Sequence, residues 1–214
     1  MKERGLIFSA PMVRALLAGT KTQTRRPVGP PIRVTGPNPP GLFDCYRASG
    51  PGQGWYGAVR LDGRGSGTVL CPYGVHGSRL WVREEWSHNP DAGANCDDHR
   101  CGIQGHIRYR ASEDLATVDT FAGSARWRPS IYMPRWASRI TLELTDVRLQ
   151  QLQEISEEDA RAEGVTLQGG PCDHPDRPVN HRAAVQVLWE SINGKRAPWS
   201  DNPWVWALTF RVVA

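Results

Sequence analysis

Hydrophobic positions recur along this chain with two periods, one typical of α-helices and one of β-strands. A short apolar strand is predicted over residues 6–9, and a helix follows it. The apolar face of that helix is formed by Met12, Val13, Leu16 and Leu17. Ser9 stands at the expected N-cap, Pro11 falls in the first turn, and Gly19 stops the helix.

Two more helices are predicted in the C-terminal half of the chain. Ser156 opens the first of them, with Asp159 as a capping-box partner three residues on, and Gly164 ends it. The second has apolar residues at helical spacing over 184–192 and is closed by Gly194.

Between and after the helices, period-two patterns predict strands. A turn at Gly77 precedes an aromatic-rich strand that runs to Trp86, and shorter alternating stretches lie at 106–111 and 140–144. A final strand is predicted over 203–213. Strands dominate, and no regular alternation of strand and helix is present. This pattern favours an α+β fold built on a small mixed β-barrel over a doubly wound sheet.

Two stretches show little periodicity and are predicted to be irregular insertions. Residues 27–75 contain much proline and glycine, and residues 87–123 form a second irregular segment. We therefore expect a single domain over 1–214 that carries both insertions.

Composition supports a folded chain with a cationic face. The 214 residues are 39% hydrophobic and include nine tryptophans, enough to build a core. The net charge is only +4, but basic residues crowd the N-terminal part and the stretch 126–139, whereas 154–163 is acidic. Such asymmetry favours a nucleic acid or another phosphate-bearing partner.

Localisation is inferred from two absences in the sequence. No apolar stretch approaches membrane-spanning length, and no apolar signal segment precedes the first helix. The five cysteines cannot all pair within the chain. We therefore expect a cytoplasmic protein whose cysteines are thiols, with no membrane partner.

The most informative chemistry follows the first helix. Lys21 and Thr24 place an amine and a hydroxyl three residues apart, beside the guanidinium groups of Arg25 and Arg26. Two neighbouring cations would lower the pKa of Lys21 and make it usable as a base, with Thr24 as a hydroxyl to activate. The same run also has a structural interpretation, because cations near a helix C-terminus complement its dipole.

Further candidates lie downstream. Cys96, His99 and Cys101 are zinc-type ligands, but their spacing matches no strong pattern, so we expect no metal and keep them as the weaker alternative. Glu84 is a candidate for a supporting contact to substrate, and its other interpretation is a salt-bridge partner. Trp136, beside Arg135, offers a stacking surface next to a cation, as nucleobase binding uses, although tryptophans at this density also build cores.

Three segments together resemble one family. They are Gly19-x-Lys21-x-x-Thr24-x-Arg26, Gly77-x-x-Leu80-x-Val82, and the helix over 156–163 with the closing strand around 204–210. In order and rough spacing they resemble the ASCH domain of the PUA-like β-barrel superfamily. The residues at 71–84 and 192–196 are similar to those of a subgroup seen in phages and prophages. The resemblance covers about half of the chain and leaves both insertions largely outside it.

The resemblance implies an activity. One compact branch is an amidohydrolase that removes the acetyl group from the exocyclic amine of 4-acetylcytidine, and its catalytic residues fall on Lys21, Thr24 and Glu163. The base would be Lys21 or Glu163 and the nucleophile Thr24 or water. Protonated Lys21 or Arg26 would stabilise the oxyanion, and the reaction needs no cofactor. The partner would be a modified nucleoside or RNA. Other members of the family are thought to bind RNA or to cleave it, so a non-catalytic RNA-binding module and a ribonuclease remain alternatives.

Two expectations follow for the structure. Lys21, Thr24 and Glu163 should converge on one site, because catalysis needs them within reach of one reacting atom. Replacing any of the three by alanine should spare the fold, since none is expected to fill the core. Glu163 would lie in the last turn of its helix, where the dipole disfavours a carboxylate unless a cation compensates, and Lys21 could be that cation.

Overall fold

The computed structural model describes residues 3–28, 43–47, 55–60, 66–88, 107–112, 126–167 and 180–213. The described strands are β1 Arg4–Ile7, β2 Gln23–Pro27, β3 Phe43–Arg47, β4 Trp55–Arg60, β5 Ser66–Leu70, β6 Arg79–Arg83, β7 Trp86–His88, β8 Ile107–Tyr109, β9 Thr141–Gln151 and β10 Trp204–Val212. The α-helices are α1 Ala10–Leu17, α2 Glu157–Ala162 and α3 His181–Asn193. The α+β class predicted from the sequence is confirmed, with three helices among the described residues.

The largest sheet has five strands in the order β1-β6-β9-β10-β2. Strand β1 runs parallel to β6, and β10 runs antiparallel to β2 with Leu208 opposite Thr24. A closed barrel requires the two edge strands to pair with each other. Within the described residues, β1 and β2 do not pair with each other, so the sheet is open and the predicted barrel is not found there.

A three-stranded antiparallel sheet, β3-β4-β5, lies inside the predicted insertion 27–75. The prediction of an irregular segment was therefore wrong for these strands. Each is short and rich in aromatic or β-branched residues, while the glycines and prolines lie mostly between them. Residues 29–42, 48–54 and 61–65 of that insertion lie outside the described residues, as does most of the segment 87–123, in which β7 and β8 pair antiparallel.

The helix boundaries follow the local signals of the sequence. Ser9 is the N-cap of α1, although its side chain makes no capping hydrogen bond, and Gly19 follows the helix with φ of +72°. Ser156 caps α2 by accepting a hydrogen bond from the backbone N–H of Asp159 at 3.1 Å. Gly164 ends α2 with φ of +73°, a left-handed conformation that glycine adopts without strain.

The chain divides into two compact units. The first contains residues 1–19, 79–142 and 212–214, and the second contains 20–78 and 143–211. One cluster of the first unit is formed by Trp86, Met133 and Ala137. A core cluster of the second is formed by Leu152, Ile155, Ala160, Val185, Trp189, Trp199 and Val205. Within the described part of the chain, no helix is long and apolar enough to cross a membrane.

Candidate active site

In the second unit, residues that precede β2 donate hydrogen bonds to the last carbonyls of α2. The backbone N–H of Thr22 donates to the Ala162 carbonyl at 2.8 Å, and Lys21 Nζ donates to the Glu163 carbonyl at 2.7 Å. The last carbonyls of a helix have no partner within it, and they form the negative end of its dipole. Lys21 therefore caps the C-terminus of α2. The structural interpretation of the basic run, a cation at a helix C-terminus, thus applies to the second helix and not to the first.

Lys21 also contacts the side chain of Glu163. Its Nζ lies 2.9 Å from Oε2, and both residues are buried, with 3% and 5% of their surface exposed. The expectation that Lys21 and Glu163 converge is therefore confirmed as a contact. Glu163 is the C-cap residue of α2, where the dipole disfavours its charge, and Lys21 supplies the compensating cation.

Arg25 occupies the second oxygen of the same carboxylate. Its Nη1 donates to Oε1 of Glu163 at 3.0 Å, from a side chain that is almost completely buried. Hydrogen bonds between ionised groups are about twice as strong as neutral ones. With a different cation on each oxygen, the orientation of the Glu163 carboxylate is fixed.

Asp159 extends the network by one helical turn. It lies four residues before Glu163, which places both carboxylates on the same face of α2. Its side chain accepts hydrogen bonds from Gln23 Nε2 at 2.9 Å, Arg25 Nη2 at 2.8 Å and Arg148 Nη2 at 3.0 Å. The backbone N–H of Asp159 donates to the Ser156 side chain, but its carboxylate binds the two arginines instead of completing the predicted capping box.

Strand alternation separates the polar residues of β2 into two sets. Gln23 and Arg25 lie on one face and bind Asp159, so Thr24 and Arg26 lie on the other. Thr24 is buried, but none of the described hydrogen bonds joins it to Lys21 or Glu163. The contact between Lys21 and Glu163 is thus established, whereas the role expected of Thr24 stays a prediction.

Burial is the main perturbation of the site's basic groups. It lowers the pKa of Lys21 from its ordinary value of 10.5, against the opposing effect of Glu163; Arg26 and Arg25 lower it further by smaller amounts. The expected direction agrees and the two neighbouring cations contribute to it, but burial is the larger cause. Burial likewise lowers the pKa of Arg26. It raises the pKa of Tyr73, against the opposing effect of the Arg26 charge.

The remaining substrate-contact candidates lie in the first unit. Glu84 is buried, and Arg139 binds both of its oxygens, at 2.9 Å to Oε1 and 3.0 Å to Oε2. This geometry is that of a salt-bridge partner, the alternative given for Glu84. Trp136 is 45% exposed, and its ring meets that of Trp86 edge to face at 5.8 Å between centroids.

The weaker metal alternative cannot be placed. Cys96, His99 and Cys101 lie outside the described residues. Within the described ranges, no group of three or more His, Cys, Asp or Glu residues could hold a metal ion.

Sequence reasoning singled out Lys21 and Glu163 but overlooked their supporting partners. Gln23 and Arg25 alternate on one face of a strand, and Asp159 lies one turn before Glu163. These two spacings, i,i+2 in a strand and i,i+4 in a helix, are visible in the sequence and pair two polar residues with two carboxylates.

Comparisons with models of protein families, with curated proteins and with solved structures found no match to this chain. Inferences about its activity therefore depend on the geometry of the site and on the motifs described above.

Proposed function

We propose that the protein is an amidohydrolase of the ASCH type, with a PUA-like fold, that removes an acyl group from the exocyclic amine of a modified cytidine such as 4-acetylcytidine. The observation that carries this proposal is the buried amine of Lys21, held by Glu163 in a position where its pKa is lowered. A lysine in such a site can serve as a base near neutral pH. The proposal includes a cytoplasmic location, where cysteines stay reduced.

To act as a base, Lys21 must be the neutral amine. Its Nζ donates to the Glu163 carbonyl and to Glu163 Oε2, contacts that the N–H groups of a neutral amine can also make. The lone pair of that amine would be the proton acceptor. Glu163, itself oriented by Arg25, would therefore hold the amine in the orientation needed to accept a proton.

The reaction proceeds through a tetrahedral intermediate. Lys21 accepts the proton of a hydroxyl nucleophile, whose oxygen forms a bond to the acyl carbon. Arg26, which lies on the same face of β2 as Thr24, stabilises the resulting oxyanion. The bond from carbon to the exocyclic nitrogen then breaks, and the proton held by Lys21 passes to that nitrogen. The products are the free carboxylic acid and cytidine.

The nucleophile is either water or Thr24. With Thr24, the acyl group is first transferred to its oxygen as an ester, which water then hydrolyses. Mass spectrometry of rapidly quenched protein distinguishes the two routes, since only an acyl-enzyme gains the mass of one acetyl group. Thr24→Ser would retain the ester route and Thr24→Ala would abolish it, whereas attack by water survives both changes in part.

The charge of the cluster favours a second candidate, non-catalytic binding of RNA phosphates. Its cations outnumber its carboxylates: they are Lys21, Arg25, Arg26 and Arg148 against Asp146, Asp159 and Glu163. The existing ion pairs argue against this alternative, because Lys21 and Arg25 already bind Glu163 and Asp159, and a phosphate would have to displace those carboxylates.

The deciding experiment measures turnover of a panel of acylated cytidines, free and within RNA, by purified protein. We expect Lys21→Met and Glu163→Gln to reduce turnover by about a hundredfold or more, as is usual for a general base. Arg211→Met, which removes an exposed cation paired with Glu143, is the matched control and should retain wild-type turnover. Circular dichroism must show that each variant is folded under the assay conditions.

The two candidate functions differ most at Glu163. Loss of a carboxylate beside a phosphate site would leave RNA affinity unchanged or raise it. Wild-type protein that hydrolyses no member of the panel, together with a Glu163→Gln variant that binds RNA more tightly, would rule out the hydrolase.

A further inference from the structure

One segment of the first unit combines arginine and aromatic residues without any acidic residue. Residues 126–139 contain four arginines, Arg126, Arg128, Arg135 and Arg139, together with Trp127, Tyr132 and Trp136. Most charged runs in a folded domain mix both signs, so a wholly cationic run interleaved with rings is unusual.

This segment is anchored to the body of its unit. Met133 and Ala137 pack with Trp86 in a buried cluster. The guanidinium of Arg83 donates to the carbonyls of Ile131 and Met133, at 2.6 Å and 3.2 Å. The turn between them is therefore held in one conformation, so a ligand that binds it has little ordering entropy to overcome.

Two aromatic rings of this segment are exposed at its surface. Tyr132 is 71% exposed, the largest fraction among the exposed large hydrophobic residues of the described chain, and Trp136 is 45% exposed. Trp136 presents its ring edge to face against Trp86, which fixes its orientation. A rigidly held aromatic ring exposes apolar surface to water, which is unfavourable in free energy, and a base stacked on the ring would cover that surface.

Few of the surrounding cations pair with a carboxylate of the described residues. Arg110 and Arg128 lie over the rings of Trp127 and Trp86, at 5.3 Å from each centroid. No carboxylate of the described chain forms an ion pair with Arg110, Arg126 or Arg128. By contrast, the two other arginines of the segment are paired, Arg135 with Glu3 and Arg139 with Glu84.

We propose that Arg110, Arg126, Arg128, Tyr132 and Trp136, here called the arginine–aromatic surface, bind single-stranded RNA. Stacking of bases on exposed rings beside cations that neutralise phosphates is the usual mode of single-strand binding. In a duplex the bases are already stacked on each other, so the rings of this surface would gain nothing there. The choice of RNA over DNA rests on the proposed function, since cytidine is a ribonucleoside.

The test is fluorescence anisotropy with a labelled single-stranded RNA that contains no acetylated base, so that binding is measured without hydrolysis. Tyr132→Ala should weaken binding by about fivefold to a hundredfold, the loss of one stacked base. The double substitution Arg126→Gln/Arg128→Gln should reduce the slope of log affinity against log salt by about 1.4, because two phosphate contacts are lost. Matched controls are Val187→Ala and Arg211→Gln, which alter exposed residues of the second unit and should bind as wild type.

Three outcomes would overturn the proposal. They are wild-type protein that does not bind the RNA, surface variants that bind it as wild type does, and equal binding of DNA of the same sequence. Tyr132 is largely exposed, so its truncation should leave the melting temperature unchanged, and a loss of affinity with an unchanged melting temperature is specific to binding. Because the binding assay involves no hydrolysis, an absence of RNA binding would refute this surface without refuting the amidohydrolase. Conversely, RNA binding without hydrolysis of any acylated cytidine would refute the amidohydrolase without refuting this surface.

Discussion

Two arginine–carboxylate pairs in this chain have the same separation and opposite surroundings. Arg25 lies 3.0 Å from Glu163 with side chains 1% and 7% exposed, and Arg211 lies 3.0 Å from Glu143 with side chains 66% and 21% exposed. The perturbation we consider is the replacement of each arginine by methionine, which keeps an unbranched side chain but removes the charge and the donors.

The expected costs differ severalfold. Without Arg25, Glu163 loses the donor to Oε1 in a desolvated site, and Asp159 loses one of its two donors to Oδ2 while Arg148 keeps the other. Breaking a buried pair by removing one partner costs about 3–5 kcal/mol, because the remaining charge stays uncompensated. The exposed pair is screened by water, so Arg211→Met should cost at most about 1 kcal/mol.

Urea unfolding of the wild type and both variants gives the two free energies directly. A double-mutant cycle with Glu163→Gln then separates the pairwise coupling from the loss of other contacts. If Arg25→Met and Arg211→Met destabilise the fold equally, burial does not control the strength of this network. The same reasoning replaces the expectation that substitutions at Lys21 and Glu163 spare the fold, because both are buried ion-pair partners.

Further outcomes can be measured on the same protein. Burial raises the pKa of Asp159, but the hydrogen bond from Gln23 and two arginine charges hold that pKa below its ordinary value of 3.8. The stability that Asp159 contributes is present above that value and is lost as pH falls through the lower folded-state pKa. Asp159→Asn should therefore flatten the acid unfolding curve. Lys21 has a folded-state pKa below 10.5, so stability should rise with pH between the two values, and turnover should rise with pH until Lys21 is neutral. Ser156→Ala should cost about 0.5–2 kcal/mol in thermal unfolding through loss of the α2 cap. Hydrolysis should survive a chelator, and loss of activity with stoichiometric zinc in the protein would contradict this.

The helix termini were predictable because the signals that define them are local. Ser156 and Gly164 act within one turn of α2, and Gly19 adopts the left-handed conformation that stops α1. The pairing of β2 with β10 spans most of the chain, and no local pattern specifies it. This difference explains why the helices were found and why closure into a barrel was expected wrongly.

The candidate site was predictable only in part for a similar reason. The motif resemblance selects Lys21 and Glu163, which are 142 residues apart in sequence and in contact in the structure. Arg25 was treated only as a neighbouring charge because sequence adjacency to Lys21 says nothing about which carboxylate a side chain reaches. The dominance of burial over charge at Lys21 also requires knowledge of packing, which a run of basic residues conceals.

Stability alone is a poor explanation for the network around Glu163. A buried ion-pair triad can often be replaced by apolar residues of similar volume with no loss of stability, because the desolvation of the charges offsets their attraction. Lys21, Arg25 and Glu163 form such a triad. An apolar cluster would also pack against the end of α2, but it could not hold an amine whose pKa is lowered by burial while its orientation is fixed by two hydrogen bonds. Each of these features is costly for a core and useful for a base, and this combination favours a chemical role for Lys21.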